Sequence, residues 1–566
     1  MSVSLRPALE ATIAKTELAR VESPRGFDAI VVGAGASGGM AALQLTAAGL
    51  DVLVLDAGWR DGFLQAPLRT ATAALVRNIA DPRLQTILPP KLVDYGTRAL
   101  RLMGRLHQPV QTRCFAWPLA PDSFVCDRDR PYRVEEGEFH WFRTEQLGGK
   151  MIVPGHGRQY YRMSPRDLHP EDGLSPAWPL DPGELTRWYE DVEHLLGVTG
   201  EAEHDIPPER QVRPNASEQD AIIRIRRRWP TVRPMIGRSA APLDSLGLSA
   251  AGERLWVRQG AIASQVLVDQ GGVANGVRFV DRASRSVREA RAPLVFLCAS
   301  ALESTRILMA SEPPAGSIGA RSGALGRHLM DHVILSGEGV GGALPGEPVE
   351  NTPGRCVYLP RLDLRDGAVD GATQTRGHGA QLYRWSIGQG RSWFLCNSFA
   401  EMLPSPENRV TLDRERRDAF GLPTLRIRCQ HSPAELARGE DQGRVLRELG
   451  EVFGVKFTRL LAGPATPGTA IHECGTARMG EDPANSVLDP FNQCWDAKGL
   501  YVTDGASFPS QGAQNPTLTI LALTARACAH ATGAADLGRS SLGRRGAGLG
   551  AAASRDRIFR SAPGDR

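Results

Sequence analysis

Apolar residues cluster near the start of this chain in a pattern that predicts strand, turn, helix and strand in succession. Phe27-Asp28-Ala29-Ile30-Val31-Val32 is a short apolar run where the ordered chain is expected to begin. A glycine-rich loop follows, then a helical stretch over Gly39–Ala48 and a second apolar strand, Asp51-Val52-Leu53-Val54-Leu55-Asp56. That succession is one βαβ unit. Two more strand candidates lie far away, Leu294–Cys298 and Leu500–Thr503. If they join the same sheet, one domain is assembled from segments distant in sequence, and the intervening chain forms a second. A last apolar run to Ala529 follows Asn515-Pro516-Thr517 and reads as a helix, with Asn515 as its cap and Pro516 in its first turn. There is no internal repeat.

The chain has 566 residues, too many for one ordinary core, so two domains are expected. A hydrophobic fraction of 42% suits a soluble globular protein. No stretch is long and apolar enough to span a bilayer. Met1–Phe27 lacks the apolar core of a signal peptide, so a cytoplasmic location is expected. The nine cysteines are dispersed and none has C-x-x-C spacing, which argues for free thiols and against a metal site. The net charge is +4, and the Arg/Gly-rich segment 536–566 carries all of that excess. It has little to bury and reads as a disordered tail. The remaining body is formally neutral and gives no support for nucleic-acid binding.

The loop after the first strand is Gly33-Ala34-Gly35-Ala36-Ser37-Gly38, a G-x-G-x-x-G. Its first glycine permits the tight turn. The second lets a pyrophosphate approach the backbone, and the third lets helix and strand pack closely. The phosphates then sit at a helix N-terminus. Asp56 ends the second strand, where a carboxylate should hold ribose hydroxyls. Strand, helix and distal acid together point to a dinucleotide, with FAD and NAD both open at this stage.

The C-terminal third carries the chemistry. His472-Glu473-Cys474-Gly475-Thr476-Ala477-Arg478-Met479-Gly480 precedes Leu500-Tyr501-Val502-Thr503-Asp504-Gly505, and then comes Asn515-Pro516-Thr517-Leu518-Thr519-Ile520. With these in view, the chain resembles the glucose–methanol–choline (GMC) oxidoreductases. That family joins an N-terminal dinucleotide loop to an H-x-x-G-T-x-R-M-G segment, a strand ending in Asp and a late N-P-T-L-T-I helix. The resemblance also covers Gly148-Gly149, Leu302–Leu308, Gly326–His332 and Pro406–Val410, and runs from about Phe27 to Ala531. The run Trp141–Gly149, with Pro131-Tyr132 before it, is most similar to bacterial sugar- and polyol-oxidising members.

The resemblance implies an α/β (α+β overall) fold. A Rossmann-like FAD-binding domain would comprise 27–162, 259–332 and 465–535. A substrate domain with a mostly antiparallel sheet and helices would comprise 163–258 and 333–464, with 1–26 an N-terminal extension. It implies FAD as cofactor, and oxidation of an alcohol group of a sugar, polyol or glycoside by hydride transfer. His472 is then the base and Asn515 its partner at the substrate oxygen. Gly33, Gly35, Ser37, Gly38, Asp56, Gly148, Gly149, Asp504, Gly505, Asn515 and Thr517 are the cofactor-binding candidates. The expected partner is a small-molecule alcohol, with oxygen, a quinone or a carrier re-oxidising the flavin. Some relatives attach FAD through a histidine in the region where this chain has His156, although the spacing differs. Others carry an iron–sulfur cluster before the strand near Gly260, and no cysteine lies between Asp205 and Arg258 here. A lyase that keeps FAD for structure, or a non-catalytic FAD-binding protein, is the alternative function of the same fold.

Overall fold

The computed structural model describes residues 12–13, 16–58, 90–153, 156, 159–201, 206–240, 252–313, 316–346, 355–362 and 377–533. The arginine-rich tail lies outside them.

The first apolar run forms the strand Ala29–Val32, with all four side chains buried. It pairs in parallel with Val52–Asp56 on one side and Leu294–Leu297 on the other. Leu255–Gln259 and Leu500–Val502 complete a five-stranded parallel sheet. Near-continuous apolar strands are what a sheet buried on both faces requires. The helix Ala36–Ala47 joins the first two strands and packs beside the C-terminal helix Thr517–Thr532. Ser37 ties the two helices together, its Oγ 3.0 Å from Thr524 Oγ1. The ordered chain begins before Phe27. Leu18–Val21 is a short helix with Val21 buried, and Thr16 Oγ1 accepts a hydrogen bond from Val257 N at 3.1 Å.

A second sheet has six strands in antiparallel order: Lys456–Leu460, Val333–Gly341, Arg391–Ala400, His378–Gly388, Val357–Leu362 and Met235–Ile236. Side chains alternate between its faces. Leu335, Leu382, Phe394 and Cys396 pack on one face against Val445, Leu446, Leu449 and Phe453 of the helix Pro433–Phe453. Ile334, Ser336, Gln381, Tyr383, Asn397 and Phe399 occupy the other face and line a cavity. The parallel sheet, the antiparallel sheet and their helices make an α/β, overall α+β, molecule. Among the described residues no helix is long and apolar enough to cross a membrane.

Candidate active site

A cavity of about 1510 Å³ extends from the glycine loop to the antiparallel sheet. At one end lie Gly33, Gly35, Ser37 and Asp56. Gly33 has φ +95°, and a Cβ there would fall 2.5 Å from the Cys298 carbonyl oxygen. Gly38 does not line the cavity. It seats the helix on the strand so closely that a Cβ would lie 1.8 Å from the Gly33 carbonyl oxygen. Asp56 accepts hydrogen bonds from Ala34 N at 2.8 Å and Gly58 N at 2.7 Å, so it shapes the loop as well as facing the cavity. Burial raises its pKa. Gly148 donates to the Ala34 carbonyl at 3.0 Å, which brings Gly149 against Gly35. Gly149 lines the cavity, whereas Gly148 supports the loop from behind.

Asp504, Gly505 and Thr517 lie on the cavity wall together with Asn515. Asp504 accepts from Ser304 Oγ at 2.5 Å and from Ala506 N at 3.0 Å, and burial pushes its pKa up to about 6. Thr517 is the first residue of the C-terminal helix. Asn515 is not the cap of that helix. Pro516 holds the cap position and no side chain caps it. The Asn515 amide turns instead to His472, with Nδ2 3.2 Å from His472 Nε2.

Around this pair the hydrogen bonds run in one direction. The Gly512 carbonyl only accepts, so His332, 2.8 Å away through Nε2, carries its proton there. Burial lowers the His332 pKa to about 4, so the ring is neutral and its Nδ1 is an acceptor. His472 Nδ1 lies 3.0 Å from that atom and must be the donor. His472 therefore presents the Nε2 lone pair toward Asn515. The chain continues on the far side: Gln381 Nε2 donates to Asn515 Oδ1 at 2.7 Å, Tyr383 donates to Gln381 Oε1 at 3.1 Å, and Gln159 Nε2 donates to the Tyr383 hydroxyl at 2.6 Å. Burial, with His332, Lys150 and His156 adding, holds the His472 pKa well below the ordinary imidazole range.

The loop before His472 is pinned by one carboxylate. Asp331 accepts from Gly468 N at 2.7 Å, Ala470 N at 3.1 Å and His472 N at 3.0 Å. Burial first, then Glu473, raises its pKa to about 7. Ile471, beside His472, holds φ +64°, a costly conformation for a β-branched residue that these bonds enforce. Lys150 Nζ lies 3.0 Å from Glu473 Oε2 on the cavity wall. His156 also lines the cavity, and its Nε2 has no hydrogen-bond partner among the described residues. Toward Asp56, Arg130 pairs with Glu145 at 3.3 Å and Glu303 at 3.2 Å.

The structure thus joins His472 to Asn515 and gathers the loop, Asp56, Asp504 and Thr517 around one cavity. Residue reading missed Asp331 and His332 as parts of the site. The Asp-His dipeptide was visible, but its distance in sequence from His472 hid the contact. Gln381, Tyr383 and Gln159 gave no signal beyond ordinary strand and loop residues.

A family model for GMC oxidoreductase matches residues 404–524. The chain is 25% identical to paromamine 6'-oxidase of Streptomyces fradiae, over 88% of this chain and 90% of that protein. It is 26% identical to 2-methyl-1,2-propanediol dehydrogenase of Mycolicibacterium austroafricanum, over 67% of this chain and 79% of that protein. Among solved structures, pyridoxine 4-oxidase from Mesorbium loti has the same fold, with a TM-score of 0.53 and 19% identity over 89% of this chain and 98% of that one. The dinucleotide-type loop, the H-x-x-G-T-x-R-M-G segment and these relatives converge: residues 404–524 match the glucose–methanol–choline oxidoreductase family model, and the chain is an oxidoreductase similar along most of its length to enzymes that oxidise CH–OH groups.

Proposed function

We propose that the protein binds FAD in this cavity and oxidises an alcohol group of a sugar, polyol or glycoside to a carbonyl, with His472 as base. The residues fit such a cofactor. Gly35 leaves open space where a Cβ would stand, beside the first turn of a helix that favours phosphate. Asp56 and Asp504 face the same cavity, and the first turn of Thr517–Thr532 offers a second site for negative charge. When bound, FAD supplies the hydride acceptor.

The chain's own residues handle the proton. The substrate hydroxyl gives its proton to His472 Nε2 as the C–H hydrogen leaves with its electron pair, and a carbonyl results. Asn515 Nδ2 donates to the substrate oxygen and orients the carbon. Burial keeps His472 neutral, so the lone pair is available before the substrate arrives. Once His472 is protonated, its Nδ1–H bond to His332 becomes charge-assisted and steadies the cation. The observation that carries this reading is the one-way hydrogen-bond chain that fixes Nε2 as the acceptor nitrogen of His472, facing the Asn515 amide across the cavity wall. The test is anaerobic mixing with sugars and polyols. The flavin absorbance should bleach, with one carbonyl formed per flavin reduced. Freshly purified protein holding NAD and no flavin, or a flavin that no alcohol bleaches, contradicts the proposal.

A further inference from the structure

The cavity wall opposite the glycine loop is a ladder of cross-strand rungs. Ile334 and Phe399 form the first, next to His472. Ser336, Asn397 and Gln381 form the second, and Gln381 holds Asn515. Glu338, Leu395 and Tyr383 form the third. Trp393 and Trp385 pair in the fourth, their ring centroids 6.4 Å apart. Trp385 lines the cavity and is half-buried. From Gln381 to Trp385 the strand climbs four residues, about 13 Å at about 3.3 Å per residue. A single six-membered sugar ring held at His472 and Asn515 does not reach that far, and two linked rings do.

The chemistry of the rungs changes along the climb. The inner polar rung offers uncharged amides and a hydroxyl, groups that both donate to and accept from ring hydroxyls. Ser336 Oγ donates to Asn397 Oδ1 at 2.7 Å, which leaves the Asn397 amide N–H groups for a ligand. Glu338 is half-buried on the cavity wall and makes no ion pair or side-chain hydrogen bond with another described residue, although Arg459 stands opposite it in register. The outer rung is an indole surface, which buries the flat face of a ring.

We infer that this wall holds an outer subsite, with Trp385 as its platform and the Glu338 carboxylate accepting from ligand hydroxyls, that takes the second ring of a two-ring glycoside. The inference rests on the proposed oxidation at His472, because that reaction fixes where the first ring lies. Trp385 then sets specificity and touches no reacting atom.

The test uses the FAD-loaded enzyme, a panel of hexopyranoses and the matching phenyl glycosides, in the parent and in Trp385→Ala and Trp385→Phe. For whichever pair the parent oxidises, kcat/KM for the glycoside should exceed that for the hexose by about tenfold or more, chiefly through KM. Trp385→Ala should remove that advantage and leave both the limiting rate of flavin reduction and the hexose kinetics unchanged. Trp385→Phe should restore most of it. A parent that gains nothing from the second ring, or a Trp385→Ala variant that keeps the gain, overturns the inference. If no member of the panel reduces the flavin, the oxidation proposal is what has failed. Binding then decides the subsite: phenyl glycoside should quench tryptophan fluorescence in the parent but not in Trp385→Ala, and equal or absent quenching overturns it.

Discussion

At the scale of single residues, the site is governed by which atom carries a proton. His332 sets the His472 tautomer, because its other nitrogen is committed to the Gly512 carbonyl. Removing it in His332→Ala leaves the His472 Nδ1–H without its partner, at a cost of about 1–3 kcal/mol, and frees the ring to present either nitrogen. Flavin reduction should slow, and the pH profile of the remaining rate should differ from the parent's. Identical pH profiles in parent and variant would remove His332 from the account. Asn515 has a narrower role. Since Pro516 and not Asn515 holds the cap position, Asn515→Ala should cost no helix cap, only the hydrogen bond from Gln381, about 1–3 kcal/mol, while slowing flavin reduction by about ten- to a hundredfold, below the loss typical of a developing-charge donor. A large fall in melting temperature with normal turnover would reverse that assignment. Residue reading reached His472 and Asn515 through their motif. It assigned the cap wrongly because Asn before Pro is a common start signal, and a side chain recruited to a distant histidine leaves no local trace.

At the scale of elements, two loops do the positioning. The glycine loop separates packing from binding. A methyl at Gly38 collides with the Gly33 carbonyl, whereas one at Gly35 meets no protein atom within 4 Å. Gly35→Ala should therefore fold with a normal melting profile yet purify with little flavin, while Gly38→Ala should lose stability as well. The ratio of flavin to protein absorbance, read beside a melting curve, separates the two, and a fully flavinated Gly35→Ala would contradict the placement of the cofactor. The second loop, 468–472, is held by Asp331. Asp331→Asn turns one acceptor into a donor that faces a backbone N–H, so it should release Ile471 from its left-handed conformation and slow flavin reduction together with a loss of about 1–3 kcal/mol in stability. The βαβ unit was legible because apolar runs, glycine spacing and the distal acid lie within thirty residues or so of one another. The antiparallel wall was not. Its cavity face mixes amides, aromatics and a carboxylate, and only the pairing of strands far apart in sequence shows that these share one surface.

At the scale of the whole molecule, buried and half-buried histidines set the response to acid. Burial lowers His156, His328, His332, His378 and His431 to about 4, and holds His472 well below its ordinary range. Their folded pKa values lie below the unfolded value of about 6.5, so the unfolded chain binds more protons and stability falls as pH drops through that value toward 4. Asp504 and Asp331 act oppositely, since burial raises them to about 6 and about 7, but they are fewer. The FAD-loaded protein should melt at a clearly lower temperature at pH 5 than at pH 7, and equal melting would show that these histidines are not held neutral. The fold as a whole places the dinucleotide-type loop of one sheet and the ladder of another on opposite sides of one cavity, with His472 and Asn515 between them. The measurement that bears most directly on this arrangement is the anaerobic single-turnover rate of flavin reduction in His472→Ala, with an alcohol the parent oxidises. The account predicts normal FAD content, a rate about a hundred- to ten-thousandfold below the parent, and partial recovery as pH rises and hydroxide removes the proton. A variant that binds FAD and is reduced as fast as the parent would place the base elsewhere.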